Sequence, residues 1–250
     1  MKRQFAEQYA NLESWHWWFR GRQHILETVL RDELNGKRPL AIASLGCGPA
    51  EGLSWLEKFA GPAGRVVGID ADPIHARQKP PNIEFVIGNI ENLPLADKSF
   101  DAVLALDVLE HLDDDVAGLR ETARLVKPGG LLLITVPALP SLWGAQDVVS
   151  NHRRRYLKKT LYQVFKRAAL PLPRVTYFNT LLFPPVAGVR WTRRVLGLKE
   201  RTRSDFEDSR PGQLNNLLAG IFAAEQHLVT RISLPIGVSL MATLQIETDE

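Results

Sequence analysis

The sequence predicts an α/β fold built on a mostly parallel sheet with helices on both faces. Three observations carry that expectation. Short apolar runs at 40–45, 65–70, 83–87, 102–106 and 131–136 alternate with helix-like stretches, the pattern of strands buried on both sides. The 250 residues, 45% of them hydrophobic, suffice for one sizeable core. The first run ends in Gly46-Cys47-Gly48, a tight turn from a strand into a helix whose free N–H groups can meet a ligand.

The elements follow in order. Residues 1–36 read as helical and strongly aromatic. Phe5, Tyr9 and Leu12 sit at helical spacing, Trp15-His16-Trp17-Trp18-Phe19 follows, and Ile25, Leu26, Val29, Leu30 and Leu34 form an apolar stripe. Asn35-Gly36 supplies the C-cap. Helices are expected over 52–59, 73–79 and 113–126, between the strands. Beyond Pro137 come a helix over 157–169, a strand over 174–178, a Pro-broken apolar stretch over 181–189, a long helix over 213–232 and a last strand over 238–246. Neither an internal repeat nor a low-complexity tract is visible.

Composition narrows the function classes. The net charge, 31 − 28 = +3, is too mild to imply nucleic acid as a partner, and none is expected. The single cysteine, Cys47, excludes a disulfide scaffold, a Cys-rich zinc site and an iron–sulfur cluster, and it suits a reducing, cytoplasmic compartment. Lys2-Arg3 lead into a polar, aromatic segment rather than a secretory signal. The longest uncharged stretch, 129–146, is broken by Pro137 and Pro140, which argues against a membrane span. Residues 151–203 hold 14 Lys and Arg against one acid, Glu200, so this block is the natural place to look for an anionic partner. Within it, Trp191 lies among Arg190, Arg193 and Arg194, next to the apolar 181–189. Segment 181–203 therefore suits peripheral contact with an anionic membrane or a phosphorylated lipid-linked sugar. A folded cap over a site would use the same residues.

Five loops carry candidate chemistry. In Gly46-Cys47-Gly48-Pro49-Ala50-Glu51-Gly52 the first two glycines allow a tight turn and close approach of a ligand. The spacing is wrong for a G-x-G-x-x-G dinucleotide loop, because position 51 is Glu and the next glycine is Gly52. Asp70 closes the second run, where a carboxylate can accept both hydroxyls of a ribose. It could instead cap the next helix, but Asp72, directly before Pro73, is the better N-cap. After the third run, the Asn89 amide can bond an adenine edge while Ile90 covers its face. After the fourth, Leu106-Asp107-Val108-Leu109-Glu110-His111 places a His and two carboxylates at the ligand-binding edge of the sheet. No second His lies nearby with ligand spacing, so no metal is expected. Lys127-Pro128-Gly129-Gly130 reads as a turn feeding the fifth strand.

Taken together, Gly46-Cys47-Gly48, Gly68-Ile69-Asp70, Asn92-Leu93-Pro94-Leu95 with Ser99-Phe100-Asp101, Val108-Leu109-Glu110-His111-Leu112 and Lys127-Pro128-Gly129-Gly130 resemble the class I S-adenosylmethionine-dependent methyltransferases, in order and in spacing. The resemblance is close over roughly 38–137. Near the N-terminus His16-Trp17-Trp18-Phe19-Arg20-Gly21-Arg22, and later Asn151-His152-Arg153-Arg154-Arg155-Tyr156 and Leu234-Pro235-Ile236-Gly237-Val238-Ser239, resemble a narrower bacterial subgroup of types 11, 12 and 23. The resemblance implies a Rossmann-like, doubly wound sheet of seven strands with the last antiparallel, the place 238–246 would take. It implies S-adenosyl-L-methionine as cofactor, with Gly46, Cys47 and Gly48 beside its methionine part and Leu106 at the same end. Asp70 would take the ribose, Ala71 would lie beside the adenine, and Asn89 and Ile90 would hold that base. Three positions depart from the family pattern. Ser44 stands for the usual Asp, Ala50 for the usual third glycine and Asn89 for the usual Asp. The organisation implied is one domain over 1–250, with a helical lid (1–36), a cofactor core (38–137) and an acceptor-side cap with closing strands (138–250).

The acceptor side is expected from the flanks. His152 is the preferred base, with His111 as substitute and Tyr156 as helper, since a hydroxyl or amine nucleophile must lose a proton. Trp17 and Trp18 would wall the acceptor, Arg20 or Arg22 would pair with the cofactor carboxylate, and Arg154 and Arg155 would hold an anionic group. The acceptor itself is read only as a small molecule, a glycan or a lipid-linked compound. Two other readings stand beside methyl transfer. One is a cofactor-binding protein that has lost transferase activity. The other is a nicotinamide-dependent oxidoreductase, which the glycine spacing disfavours.

Overall fold

The structure is a computed structural model, and it describes residues 12–36, 40–197, 206 and 209–247. Seven strands form one sheet: β1 (Ala41–Leu45), β2 (Arg65–Asp70), β3 (Ile83–Ile87), β4 (Phe100–Leu106), β5 (Val126–Pro137), β6 (Arg174–Phe178) and β7 (Ser239–Gln245). Their order is β3-β2-β1-β4-β5-β7-β6. The pairings from β3 through β5 are parallel, and β7 runs antiparallel to both β5 and β6. The strand order reverses beside β1, with β2 on one side and β4 on the other, and this is the switch point at which open α/β sheets bind ligands.

Burial follows from that architecture. Ile42, Ala43, Ala102 to Ala105 and Leu132 to Ile134 have no solvent exposure, because helices cover both faces of the central strands. Helix α1 (Trp17–Leu34) buries Ile25, Leu26, Val29 and Leu30, so the expected stripe is part of the core. It ends at Asn35 in the left-handed conformation, as the sequence anticipates. It starts where no Ser, Thr or Asp stands: His16 is the N-cap, accepting from the Trp18 N–H at 3.2 Å. The part of the expected N-terminal helix before residue 12 lies outside the described residues.

Several elements differ from expectation. The helix over 52–59 is a 3₁₀ stretch, Ala50–Leu56, running into the single turn α2 (Glu57–Ala60). The one over 73–79 is also 3₁₀, Pro73–Gln78, with Asp72 as its N-cap at 3.0 Å from the Ile74 nitrogen. Asp114 caps α3 (Asp115–Arg124) in the same way. Lys127-Pro128-Gly129-Gly130 is not a separate turn but the first part of β5, where the register against β4 shifts. After β5 come the short α4 (Ala145–Val149) and α5 (Lys158–Arg167).

The Pro-broken stretch over 181–189 opens α6 (Phe183–Val195). Proline in the first turn costs no hydrogen bond, so Pro184 and Pro185 start the helix instead of breaking it. The long helix over 213–232 divides at Ala224-Glu225 into α7 (Gln213–Ala223) and α8 (Gln226–Val229). Helix α1 packs against both.

Candidate cofactor and acceptor site

The loop after β1 is held in a shape that side chains resist. Gly46 and Gly48 have φ of 57° and 61°, in the left-handed region. A Cβ on Gly46 would lie 2.8 Å from Val108 Cγ2, whereas one on Gly48 would meet nothing within 4 Å. Gly48 therefore offers bare backbone to open space. Two bonds tie the loop to β2: Cys47 N–H donates to the Ile69 carbonyl at 3.1 Å, and Gly48 N–H donates to Asp70 Oδ2 at 2.9 Å. The other Asp70 oxygen accepts from Asp72 N–H at 3.0 Å and lies 3.1 Å from His75 Nδ1. Burial pushes the Asp70 carboxyl up, but the bonds from His75, Asp72 and Gly48 outweigh it and hold the group below its ordinary value. Burial, with the Asp70 charge behind it, raises the Cys47 thiol, which is therefore no thiolate nucleophile.

A cavity of about 570 Å³ opens from this loop. It brings together Gly46, Cys47, Gly48 and Leu106 at one end with Trp17, Trp18 and Arg22 of α1 and, deeper, His111, His152 and Arg155. Four of the expected cofactor residues are not on its wall. Asp70 stands behind the loop, Ala71 is exposed beyond it, and Asn89 is exposed with its Oδ1 accepting from Glu91 N–H at 3.1 Å. Ile90 is buried against the loop, its Cδ1 3.4 Å from where a Gly46 Cβ would be. The cavity thus gathers the residues expected at the methionine end and on the acceptor side, while those expected at the ribose and adenine lie outside its lining.

On the acceptor side the organising group is Asp147, a fully buried carboxylate. Its Oδ1 accepts from Arg155 Nε at 2.7 Å and pairs with His152 Nδ1 at 2.9 Å, and its Oδ2 accepts from Gly144 N–H at 2.8 Å. Burial alone would raise this carboxyl; the His152 and Arg155 bonds more than reverse that and hold it at about 2. An ionised Asp147 fixes the His152 tautomer: Nδ1 carries the proton and Nε2 presents its lone pair to the cavity. His111 lies edge-on to His152 with ring centroids 4.7 Å apart. Burial and the neighbouring His152 lower His111 to about 4, so it is a neutral ring near pH 7.

Three expectations about this side need correction. Tyr156 does not reach the cavity: it is buried on the opposite side, donating its hydroxyl to Asp115 Oδ2 at 2.9 Å. Arg155 lines the cavity, but Asp147 and the Ala138 carbonyl engage its guanidinium, which therefore braces the site rather than awaiting an anion. Arg154 is likewise spent on Asp115 and on the Leu112 and Asp113 carbonyls. On α1, Arg22 bonds Asp107 and lies 4.3 Å over the Trp18 ring, while Arg20 turns away to Asn216.

Sequence reasoning missed Asp147 and Glu13, and it placed Glu110 beside His111 without a role. Glu13 lines the cavity by the loop, and a Cβ on Gly52 would strike its Oε2 at 2.1 Å. Burial lifts its carboxyl to about 7, against the pull of Arg22. Nothing in the local pattern around Glu13 marks it; Asp147 could have been flagged as an acid at the start of a helix five residues before a His.

A glycine loop at the switch point, an acid behind it and an antiparallel seventh strand set between β5 and β6 define the class I, S-adenosylmethionine-dependent methyltransferase fold. The comparisons agree. Residues 43–134 match the methyltransferase domain family. A "probable S-adenosylmethionine-dependent methyltransferase" of Mycolicibacterium smegmatis is 34% identical over 158 residues, 61% of this chain and 59% of that one. The demethylmenaquinone methyltransferase of Chlorobaculum tepidum is 31% identical over 56% of this chain and 53% of its own length. This chain thus spans a little over half the length of these relatives. A chain from the complex between the Haloferax volcanii Trm112 methyltransferase activator and a methyltransferase has the same fold, with a TM-score of 0.61 and 18% identity over 98% of this chain and 96% of that one. Residues 43–134 thus match the methyltransferase domain family, and the fold is that of the class I methyltransferases, a class whose cofactor is S-adenosylmethionine.

Proposed function

We propose that the protein transfers a methyl group from S-adenosylmethionine to a hydroxyl of a small, largely apolar acceptor, with His152 receiving the hydroxyl proton. The observation that carries this reading is the cavity itself. It joins the bare backbone of Gly48 to a tautomer-fixed imidazole, and its lining includes the apolar side chains of Trp143, Leu182, Val186, Phe206 and Leu218. The residues fit the cofactor. Gly46 and Gly48 leave room that a side chain would fill, Glu13 faces the amino-acid end, and Asp70 waits behind the loop for the ribose, with Ala71, Asn89 and Ile90 beyond it for the base. When bound, the cofactor supplies an activated methyl on a sulfonium.

What the chain adds is placement and one proton transfer. Trp17 and Trp18 would cover the methionine end, and the walls would hold the acceptor oxygen toward the methyl group, a placement that accounts for much of the acceleration in such displacements. With the cofactor bound, its sulfonium would supply the methyl group and leave as a thioether, and the acceptor's hydroxyl proton would pass to His152 Nε2. The charge left on the imidazolium is met by Asp147. In this reading 1–36 is a lid whose cover is its first turn, 38–137 the cofactor core and 138–250 the acceptor side. An apolar acceptor, free or lipid-linked, is the class favoured; the Chlorobaculum relative named for demethylmenaquinone supports that choice, and a glycan would need more polar walls.

Peripheral membrane contact through 181–203 belongs to the same reading. Val189, Trp191, Val195 and Leu196 are exposed along α6. Arg190 and Arg194, however, bond carbonyls of Ser141 to Trp143, so they serve the cap first. No helix among the described residues is long and apolar enough to cross a membrane, and the lone Cys47 suits the cytoplasm. The test is transfer of labelled methyl to a panel of phenolic or quinol, glycan and lipid-linked hydroxyl acceptors. Labelling of an apolar acceptor is expected. Tight S-adenosylmethionine binding with no transfer to any class favours a cofactor-binding protein, and NAD binding favours an oxidoreductase.

A further inference from the structure

The deep wall of the cavity holds a group that the proton transfer does not use. Glu110 is fully buried, and neither carboxylate oxygen has a hydrogen-bond partner among the described residues. Leaving a buried carboxylate without partners is costly unless it is protonated or faces a cation. Burial, with Asp107 nearby, does push Glu110 well above its ordinary value. His111 and His152 stand beside it. One ligating atom from each of Glu110, His111 and His152 lies within 4.8 Å of the other two, and Glu110 Oε1 to His152 Nε2 is 3.9 Å. All three residues line the cavity.

We infer that Glu110, His111 and His152 form a divalent transition-metal site on the acceptor wall. The outer partners are those a metal site needs. His152 Nδ1 is held by the ionised Asp147, which turns Nε2 toward Glu110, the carboxylate–histidine–metal arrangement. Two imidazoles and one carboxylate are the donor set of three-ligand zinc sites that keep a fourth position open. Donors this rich in nitrogen favour Zn²⁺ over Mg²⁺. Ligand atoms around a tetrahedral zinc are separated by about 3.4 Å, so groups as much as 4.8 Å apart need to close by up to about 1.4 Å. The sequence hides the site because His111 and His152 are 41 positions apart and only the fold brings them together.

The open position faces the cavity, where it would take an acceptor oxygen. The inference rests on reading this end of the cavity as the acceptor side. In the metal-loaded chain Nε2 would be taken up by the cation, which would acidify a bound hydroxyl whose proton would go to solvent; His152 would be the proton acceptor in the metal-free chain. The acceptor class fitted best is then one with an ionisable or chelating oxygen pair, such as a catechol or hydroxyquinol.

The experiment is titration of the chelator-stripped full chain with Zn²⁺ alone, followed by calorimetry, with the visible spectrum of Co²⁺ as a coordination readout. No cofactor or acceptor is present, so the result is independent of whether methyl transfer is the activity. One equivalent of Zn²⁺ is expected to bind. Glu110→Gln and His111→Ala should each weaken it at least tenfold and alter the Co²⁺ spectrum. Glu110→Gln keeps the shape of the neutral acid, so circular dichroism should show an intact fold. His24→Ala, on the exposed part of α1, should leave binding unchanged. No uptake of Zn²⁺, or uptake unaffected by Glu110→Gln, overturns the site; uptake lost only in His24→Ala identifies surface binding and overturns it equally.

Discussion

The two ends of the cavity are built differently. At the cofactor end the chain uses backbone: left-handed Gly46 and Gly48, N–H groups and a carboxylate that pins the loop from behind. At the acceptor end it uses a buried side-chain network in which Asp147, His152, Arg155 and Arg190 hold one another. Backbone sites are written locally, because a glycine at a strand end means the same thing in any sequence of this pattern. A side-chain network is written across the chain, and each member depends on partners many residues away. The first end should therefore respond to mutation through binding, and the second through turnover and stability.

The largest effect should come from the network's centre. Asp147→Ala leaves Arg155 buried without its partner, a loss of about 3–5 kcal/mol, and should show as a large fall in Tm. A drop no greater than a surface substitution gives would mean that Asp147 is not the hub.

Next comes His152→Ala, expected to cut turnover by about 100-fold or more, the scale of a lost general base or activating ligand. Cofactor affinity should stay within about twofold, or roughly 0.4 kcal/mol. Asp70→Ala should do the reverse. It weakens cofactor binding by about 1.5–3 kcal/mol, the scale of hydrogen bonds to a charged group, and also frees the Gly48 N–H. The helix cap should survive, since Asp72 provides it.

Tyr156→Phe is a smaller test. It removes one buried hydrogen bond to Asp115 and should cost about 1 kcal/mol of stability with turnover unchanged. A turnover loss would restore Tyr156 to the acceptor site.

The mildest effect is a pH dependence at the N-cap. Burial lowers His16 from 6.5 to about 4, so the unfolded chain binds its proton first. The stability tied to neutral His16 is full above pH 6.5 and declines as pH falls toward 4. His16→Asn keeps a capping oxygen without the titration, so Tm plotted against pH should flatten over that window. An identical slope in the variant would assign the dependence to other groups.

The same contrast explains what the sequence reveals. The parallel run of strands, the glycine turn and the Asp72 cap are legible because each rests on local period or turn chemistry, while the antiparallel direction of the last strand follows from the family resemblance. The helix Phe183–Val195 is hidden by Pro184 and Pro185, which look like breakers until their place in the first turn is known. Tyr156 misleads for a geometric reason. It bridges Ala138 in extended backbone, where neighbouring side chains point to opposite sides, so Arg155 faces the cavity and Tyr156 faces α3. The roles of Asp147 and Glu110 stay hidden in the sequence because they depend on partners that only the fold delivers: Arg155 and Arg190 to Asp147, and His152 to both.

The division between the two ends is tested most directly by one calorimetric comparison. S-adenosylhomocysteine is titrated into wild type, Asp70→Ala and His152→Ala under identical conditions. The account predicts binding to wild type, a loss of about tenfold or more in Asp70→Ala, and a change within about twofold in His152→Ala. Equal losses in both variants, or unchanged binding in Asp70→Ala, would contradict it.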